Sequence, residues 1–553
     1  MKPADATAPA GTVQRALRSY AESQLPRALT QMDRDPDSPL FGNFDRSHWH
    51  YKIRDFSSAI LQQGAFALDA LRRGHLSLPT GSEIDPAILD RWCVAAVEAL
   101  ARQVRRDGSV DEYYPYERSY PAAAFGLYAA ARLLANWKRE APHLFAAIGP
   151  AAWRGLSRLA DHLDRRVEVQ AANQQAAGLA GLALASLIPE ISPRPSQIGA
   201  LADRWLAGQH PEGWFDEYGG PDFGYLAVTI DALMDYGEAT GDPRAESAAD
   251  RAIDFLADLV GADGRLPSTL NSRNTDYVVP YGLARRAAEN PRAAWLVETL
   301  FRDADSPGHF LAATDDRYLS HYVYASCVRA LPHLSNMRPP EPPQERRSVW
   351  LPGAGYRIAW AEDRSWSAAI GARKGGLVRI HRRDAPPVLD HGWRIESGGA
   401  LWTTNWWQGA EARFDIDEER LAIHGACRRA GFLVPRPWKH AALRLAAWLL
   451  GARLLAPLRR LLIFKPQRPD PNDPSIPRFE REIEIGPQGI AIRDRLEFPQ
   501  GAKARRGPRQ NLRHVASAES FHPEDLAAPV AARIDEEPGG LRAEWRFPAE
   551  DAG

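Results

Sequence analysis

Residues 209–229 have the sequence QHPEGWFDEYGGPDFGYLAVT, and the predicted fold is built outward from them. The pairs Glu212-Gly213 and Gly219-Gly220 predict a turned loop rather than an extended one. Asp222 follows at the position of an N-cap, directly before an apolar run that is typical of a buried helix. Aromatic and acidic side chains crowd this loop: Trp214, Phe215, Asp216, Glu217, Tyr218, Phe223 and Tyr225. Such a mixture suits a sugar-binding cleft, although a helix entry with half-buried aromatic residues is the plainer interpretation.

The glycine turn of this loop has two relatives in the N-terminal half of the chain. Asp107-Gly108 and Asp263-Gly264 open loops of the same style as Glu212-Gly213, and each loop leads to an apolar helix. From about residue 14 to residue 334 the apolar residues repeat with helical periodicity. Helix pairs that cannot bury a face alone must stack, as a solenoid or as a ring. We therefore predict a closed or nearly closed α/α toroid whose polar loops line one common mouth.

The composition changes at residues 337–347, MRPPEPPQERR, which are typical of a proline-rich linker. Beyond them short alternating segments predict strands, and the segments 478–485 and 489–498 predict a hairpin around a Gly-Pro-Gln-Gly turn. The predicted fold is thus multi-domain α and β. An (α/α) toroid (1–336) is followed by the linker (337–347) and an antiparallel β-sandwich (348–553).

An apolar, cationic insertion interrupts the predicted sandwich at about residues 438–465. Between residues 420 and 468 the chain has eleven Lys and Arg residues and no Asp or Glu. Internal arginines, Gly451 and Pro457 argue against a membrane-spanning helix. An amphipathic helix lying on an anionic membrane surface fits the pattern; packing on the toroid or on a second copy is the alternative.

The bulk properties exclude several other classes. A net charge of −1, with a basic run that is apolar, gives no support for a nucleic-acid partner. Three widely spaced cysteines provide neither a disulfide framework nor a CxxC metal site. The N-terminal residues lack the apolar segment of a signal peptide, so we expect a cytoplasmic protein or one peripheral at the inner membrane. No metal is expected at His48 and His50, whose spacing suits no common ligand pattern.

Polar and aromatic residues concentrate in several loops of the helical half, and these supply the candidate substrate-binding residues. The candidates are Arg46, His48, Trp49, Glu112, Tyr114, Gln174, Trp214, Glu217, Asn274 and Tyr277. Asn173 and Gln174 stand at the head of a very apolar helix, where amides more often act as caps. Arg273 is a further candidate because a guanidinium can bind a carboxylate with two hydrogen bonds.

The segments EYGGPDFGYLAVTIDAL and NSRNTDYVVPYGL, the helix start at Asn173 and the change from helices to strands resemble the heparinase II/III-like proteins and the related alginate lyases. The resemblance covers most of the chain. It implies β-elimination on a uronate-containing polysaccharide, with Asn173 facing the uronate carboxylate and Tyr225 as acid and base. An unperturbed tyrosine titrates near 10, and we expect a nearby arginine to lower the pKa of Tyr225.

Two departures from the family pattern leave the base open. Gln174 stands where the family usually has histidine, and an amide cannot act as a base. The metal-bearing relatives have a His/Asp/His cluster in the sandwich, whereas His381, Asp384, Asp390 and His391 have a different spacing here. The base is therefore His381 or His391, or Tyr225 acts alone, or the activity is lost or altered. No cofactor is expected, and a structural divalent metal in the sandwich has no sequence support.

Two other functions remain open at this point. A hydrolase would use a pair of carboxylates from the same loops: Glu112, Glu117, Asp216, Glu217 and Asp222. A non-catalytic protein that binds or assembles an acidic glycan at the membrane, in exopolysaccharide production, is the third possibility.

Overall fold

The computed structural model of the chain describes residues 11–548, except for 79–81, 83, 192–194, 418, 432–433, 435, 464–472, 487–488, 509–520 and 522. Helices occupy the N-terminal part of the described chain, and antiparallel strands occupy most of the remainder. The helices are α1 (Thr12–Leu29), α2 (Arg46–Trp49), α3 (Ala65–Arg72), α4 (Pro86–Gln103), α5 (Tyr120–Glu140), α6 (Pro142–Ala147), α7 (Pro150–Asp164), α8 (Ala172–Ser186), α9 (Pro195–Leu206), α10 (Phe223–Thr240), α11 (Pro243–Asp258), α12 (Tyr281–Arg286), α13 (Pro291–Phe301), α14 (Asp316–Tyr318), α15 (Tyr324–Ala330) and α16 (Pro437–Ile463).

Six of these helices form a closed inner ring. Helices α3, α5, α8, α10, α12 and α15 contact one another in this order, and α15 returns to α3. Helices α1, α4, α7, α9, α11 and α13 pack around them. The inner helices α8 and α10 are buried along almost their whole length, which explains why apolar residues occur on every side of both. This arrangement agrees with the predicted toroid, and we use that name for residues 11–336.

The repeated glycine turns have the same geometry. Gly108, Gly213 and Gly264 have φ angles of 81°, 101° and 74°, which are unfavourable for residues with a Cβ atom. In each turn the glycine amide donates a hydrogen bond to the carbonyl three residues earlier, at 2.8–3.0 Å. The residue that bears this carbonyl also donates its own backbone amide to the carbonyl of the residue that follows the glycine. The internal repeat in the sequence is therefore a repeated turn in space.

The strands form three antiparallel sheets, with the orders β1-β2-β3-β4-β5, β10-β7-β6-β13 and β14-β15-β12-β11-β9-β8. Their bounds are β1 (Ser348–Leu351), β2 (Tyr356–Trp360), β3 (Trp366–Gly371), β4 (Leu377–Arg382), β5 (Ala385–Asp390), β6 (Trp393–Ser397), β7 (Ala400–Thr403), β8 (Arg413–Ile416), β9 (Arg420–Ala426), β10 (Arg428–Arg429), β11 (Arg478–Gly486), β12 (Gly489–Glu497), β13 (Lys503–Arg506), β14 (Arg533–Glu537) and β15 (Gly540–Phe547). Strands β11 and β12 pair in the predicted hairpin register. Apolar residues from all three sheets share one core, so we call residues 348–548 the sandwich.

The toroid and the sandwich are in direct apolar contact. Val349, Leu351, Tyr356 and Ile358 belong to the hydrophobic core of the toroid rather than to that of the sandwich. The hydroxyl of Tyr356 also donates to the carbonyl of Leu270 at 2.8 Å. The first strands therefore hold the sandwich against the toroid loops at 259–280.

Helix α16 (Pro437–Ile463) occupies the predicted insertion between β10 and β11. Its first half rests on the toroid, where Arg118 Nη1 donates to the carbonyl of Ala447 at 3.2 Å. Arg444 also pairs with Asp55, with 3.2 Å between Nη1 and Oδ2. Across the described ranges, no helix combines the length and apolar character that crossing a membrane requires.

Candidate active site

The loops that lead into the inner helices meet at one end of the ring. The amide of Tyr218 donates to the carbonyl of Gln170 at 2.7 Å, and the hydroxyl of Ser272 donates to the carbonyl of Glu217 at 2.7 Å. Arg317 Nη2 donates to Glu112 Oε1 at 2.8 Å. Loops 104–119, 165–171, 207–222 and 259–280 thus meet here with helix α14, and together we call them the mouth.

Asn173 and Glu217 form a buried pair at the mouth. The backbone amide and the side-chain Nδ2 of Asn173 both donate to Glu217 Oε1, at 2.7 and 2.8 Å. Glu217 is only 1% exposed, and burial raises its pKa well above the usual value. Its Oε2 atom has no hydrogen-bond partner among the described residues. Glu217 therefore keeps its proton to a higher pH than an ordinary glutamate, and Asn173 fixes its orientation.

Arg273 lies among phenols. Its guanidinium carbon lies 4.3 Å from the ring centroid of Tyr218, whose hydroxyl accepts from Gln174 Nε2 at 3.1 Å. Arg273 is 2% exposed and interacts electrostatically with Tyr225, Tyr218 and Asp222. The arrangement holds a permanent positive charge beside neutral hydroxyls and leaves part of Tyr218 and Gln174 exposed.

Tyr225 lies in the first turn of α10, and Asp222 caps that turn as predicted, because its side chain accepts a hydrogen bond from the Tyr225 amide at 3.1 Å. The expected lowering of the Tyr225 pKa by Arg273 is outweighed by the effect of burial. Burial raises the pKa of Tyr225 well above 10, and the opposing influence of Arg273 is smaller. Tyr225 is therefore a neutral phenol at physiological pH, which suits a proton donor better than a base.

A histidine and a tyrosine, His321 and Tyr322, join this cluster from a π-helical turn, Leu319–Val323, between α14 and α15. Such turns often occur at functional sites. The hydroxyls of Tyr322 and Tyr277 are hydrogen bonded, and Tyr322 also interacts with Tyr225. The ring centroid of His321 lies 4.5 Å from that of Tyr322. His321 and Tyr322 were not among the predicted residues; the aromatic run DRYLSHYVY at 316–324 is the signal that could have found them.

Glu112 orients His321. The Glu112 Oε1 atom lies 3.7 Å from His321 Nε2, and Oε2 accepts from Ser119 Oγ at 2.9 Å. Although burial raises the pKa of Glu112, its contacts with His321 and Arg317 keep the pKa below the usual value. Burial lowers the pKa of His321, more than Glu112 raises it. An ionised carboxylate therefore faces a neutral imidazole whose Nδ1 is buried without a hydrogen-bond partner in the described part of the chain.

Lys374 reaches the mouth from the sandwich and was also missed from the sequence. Its ammonium donates to the carbonyl of Asn271 at 2.8 Å and to the side chain of Asn274. Asn274 has a φ angle of 57°, in the left-handed region. The predicted substrate-binding residue Asn274 thus interacts with the sandwich, directly beside Arg273. Tyr114 lies half-buried in the 104–119 loop.

Trp214 lies at the boundary with the sandwich. Its ring stacks on His210 with 4.4 Å between centroids, and its Nε1 donates to Glu212 at 2.9 Å. Glu212 also accepts from the amide of Gly353 at 2.6 Å. Trp214 is 9% exposed, and the two residues that hold it, His210 and Glu212, lie against Gly353 of the sandwich.

Arg46, His48 and Trp49 bond to backbone carbonyls that lie near them in the sequence. Arg46 donates to the carbonyl of Thr30 at 2.6 Å, and Trp49 Nε1 donates to that of Gln31 at 2.7 Å. His48 Nδ1 lies 3.0 Å from the carbonyl oxygen of Arg54. Of the three, His48 lines a surface pocket, which it shares with Asp55, Phe56, Asp111 and Tyr116.

The two histidines predicted as bases lie in the sandwich. His381 is 1% exposed, and its Nδ1 lies 2.8 Å from Asp263 Oδ1. His391 follows Asp390, which is paired with Arg481 at 3.0 Å. Within the described ranges, no group of three or more His, Cys, Asp or Glu side chains is arranged to hold a metal ion. His321 is the histidine that the structure brings against Tyr322 and Glu112.

Comparison with known proteins gives distant structural similarities only. No protein-family model and no curated protein matches the chain. A mutant of the chondroitin AC lyase of Streptomyces coelicolor A3 is 12% identical, with 90% of this chain and 71% of that chain covered and a TM-score of 0.47. A GH127 β-L-arabinofuranosidase from Geobacillus stearothermophilus T6 is 12% identical, with coverage of 98% and 96% and a TM-score of 0.33. A structure described as a glycoside hydrolase is 11% identical, with coverage of 78% and 90% and a TM-score of 0.34. These TM-scores lie below 0.5 and establish no family for the chain.

Proposed function

We propose that this protein is a polysaccharide lyase that cleaves an acidic, uronate-containing glycan by β-elimination. The observation that carries the proposal is a buried cluster in which Arg273 interacts with the neutral phenol of Tyr225, and which the neutral imidazole of His321 joins through the rings of its neighbours. β-Elimination needs these three functions. The uronate carboxylate must be neutralised, the C5 proton must be removed, and the leaving oxygen must be protonated.

The guanidinium of Arg273 is the group that would bind the uronate carboxylate. Its charge does not depend on pH, and as the C5 proton leaves, it would stabilise the negative charge that spreads onto the carboxylate oxygens. Gln174, with its partly exposed amide, and Asn173, which holds Glu217, would complete the polar wall around that carboxylate. Gln174 then contributes a hydrogen bond and not a base.

His321 and Tyr225 divide the proton transfers. His321 Nδ1 would accept the C5 proton, and the C4–O bond would break as a C4=C5 double bond forms. Tyr225 would donate its phenolic proton to the departing glycosidic oxygen. Proton transfer from the imidazolium to the Tyr225 phenolate, through the contacts of Tyr322, would restore the starting state. Glu112 would stabilise the imidazolium formed during the reaction.

One observation favours hydrolysis as the second candidate. The pKa of Glu217 is raised by burial, while that of Glu112 is held below its usual value despite burial. Two carboxyl groups whose pKa values are driven apart are the usual acid and base of a glycosidase. In that reaction Glu217 would protonate the leaving group and Glu112 would act as the base or the nucleophile.

The test follows near-ultraviolet absorbance over a panel of uronate polysaccharides. We expect absorbance from the unsaturated uronide with the native protein, and a loss of about 10²-fold or more in Tyr225→Phe and in His321→Asn. Tyr236→Phe is the matched control, because Tyr236 lies on the same helix and its hydroxyl contacts Asp242 at 3.3 Å. This control variant is expected to keep its activity.

The other outcomes separate the candidate functions. Reducing ends that appear without absorbance, and disappear in Glu217→Gln, would indicate hydrolysis. Binding of an acidic glycan without any turnover would favour a non-catalytic protein of bacterial exopolysaccharide production, the setting in which we also place the lyase.

A further inference from the structure

In its described part, residues 437–450, helix α16 contacts the toroid through one side. Ala447 is fully buried there, and its carbonyl accepts the hydrogen bond from Arg118. The ion pair between Arg444 and Asp55 holds the adjacent flank. Arg118 belongs to the 104–119 loop of the mouth, so α16 lies beside the opening of the toroid.

The opposite side of residues 438–450 of α16 is apolar and faces solvent. At 100° per residue, Leu445, Trp448, Leu449 and Trp438 lie within an arc of about 100°, and Ala447 lies about 200° from Leu445. These four side chains are 56%, 58%, 63% and 64% exposed. A contiguous apolar patch that remains exposed after a helix has docked marks an interaction surface.

The charge of the sequence that carries this patch indicates the kind of partner. The chain from residue 436 to residue 468 contains eight Lys and Arg residues and no Asp or Glu: Arg436, Lys439, Arg444, Arg453, Arg459, Arg460, Lys465 and Arg468. An apolar helix face with tryptophans, in a cationic segment, is the pattern of helices that lie in anionic lipid headgroups. A second copy of α16 would instead bring ten cations together (five from each copy), and the helix itself has no acidic residue to pair with them. The composition therefore favours an anionic bilayer over self-association.

We propose that α16 binds in the plane of an anionic membrane surface, with Trp438, Leu445, Trp448 and Leu449 inserted and the mouth of the toroid held next to the bilayer. The toroid contacts through Ala447 and Arg444 leave this face available, so docking on the protein and binding to lipid are compatible. The proposal for this surface does not depend on whether the protein is a lyase, a hydrolase or a non-catalytic glycan-binding protein.

Vesicle flotation tests the surface directly. The native protein should float with phosphatidylcholine vesicles that contain phosphatidylglycerol and stay at the bottom with phosphatidylcholine alone. The triple variant Trp438→Ser, Trp448→Ser, Leu449→Ser should lower the partition coefficient by at least about tenfold, because three inserted apolar side chains are lost. Charge reversal at Arg453, Arg459 and Arg460 should weaken binding similarly, and added salt should weaken it in the native protein.

A second measurement locates the contact independently of whether the triple variant folds. All three native cysteines are buried, so an environment-sensitive dye on Leu449→Cys would report from α16 alone. Its emission should shift to the blue with anionic vesicles. The same dye on Leu526→Cys, at a position 82% exposed on the sandwich, is the control and should not shift.

Four outcomes would contradict membrane binding by α16. Absence of flotation with anionic vesicles, flotation unchanged by the triple substitution, or no dye response at residue 449 would overturn the proposal. A dimer in light scattering that the triple substitution dissociates would assign the same face to a second copy and would also overturn it.

Discussion

The ammonium of Lys374 in the sandwich donates a 2.8 Å hydrogen bond to the backbone carbonyl of Asn271 in the toroid. It also donates to the side chain of Asn274, and the residue is only 5% exposed. Asn271 in turn donates to the carbonyl of Thr275 at 3.0 Å, which closes a tight loop around Arg273. The sandwich therefore supports the cation that we place against the substrate.

Replacing this lysine should affect both stability and turnover. In Lys374→Met the acceptors on Asn271 and Asn274 remain buried without their donor, which should cost about 1–3 kcal/mol in the free energy of unfolding. Arg273 should also shift, and the near-ultraviolet turnover should fall by about tenfold or more. Lys503→Met, an exposed lysine of the same sandwich, is the control for denaturation and turnover. Unchanged turnover in Lys374→Met would show that the sandwich does not position Arg273 for the reaction.

The pH dependence of turnover should reveal how Glu112 and Arg317 act on His321. Burial lowers the pKa of His321, Glu112 raises it, and Arg317 lowers it. The acidic limb of kcat/KM follows deprotonation of the base. Glu112→Gln should therefore move that limb to lower pH, and Arg317→Gln should move it to higher pH. Shifts in the same direction, or no shift in either variant, would exclude His321 as the titrating base.

The glycine turns should tolerate no side chain. A Cβ atom on Gly213 would lie 2.1 Å from the carbonyl oxygen of Arg251, and the φ angle of 101° adds backbone strain. Gly213→Ala should thus lower the free energy of unfolding by roughly 2–4 kcal/mol, measured by chemical denaturation. Gly199→Ala is the control, since it lies in α9 with open space around it. There alanine should be neutral or stabilising, by up to about 1 kcal/mol.

The features that sequence predicts well are those imposed by local chemistry. The glycine turns depend on φ angles that few other residues adopt, so their spacing exposed the repeat and led to the ring of helix pairs. The N-cap Asp222 and the hairpin β11–β12 follow from similarly local rules. These rules do not depend on what the rest of the chain packs against.

The parts that sequence did not predict depend on long-range packing. Lys374 approaches Asn271 only because the sandwich packs on the toroid, and His321 points toward Glu112 from a π-helical turn that propensities do not indicate. Trp214, a predicted substrate-binding residue, is held by His210 and Glu212, and Glu212 also accepts a hydrogen bond from the sandwich. The sequence predicts Arg273 as a neighbour of Tyr225, but it does not reveal that burial dominates the pKa of Tyr225.

A buried ion-pair network connects the inner helices. Asp235 is fully buried and accepts hydrogen bonds from Arg132, Arg285 and Arg329. Although burial raises its pKa, these arginines hold the pKa of Asp235 well below the usual range. Asp235→Asn would leave them without their central anion and should cost about 3–5 kcal/mol in the free energy of unfolding. Glu238→Gln changes a carboxylate that is 31% exposed and pairs with two of these arginines, Arg132 and Arg285, and it should cost less than half as much.

Asp231, one helical turn earlier in α10, should behave in the opposite way. Burial raises its pKa to about 7, while its Oδ1 accepts from the amide of Gly282 at 2.6 Å. Since the folded state binds this proton more tightly than the unfolded state, the contribution of Asp231 to stability is lost as the pH rises from about 4 through 7.

Asn keeps the acceptor without the charge, so Asp231→Asn should raise the free energy of unfolding by about 2–4 kcal/mol near pH 8. The gain should shrink steadily toward pH 4, where the carboxyl of the native protein is protonated in the folded state. Denaturation of both proteins across this range is the measurement, with Asp254→Asn at the surface as the control. A gain that does not change with pH would mean that Asp231 titrates alike in the folded and unfolded states, which would contradict the raised pKa.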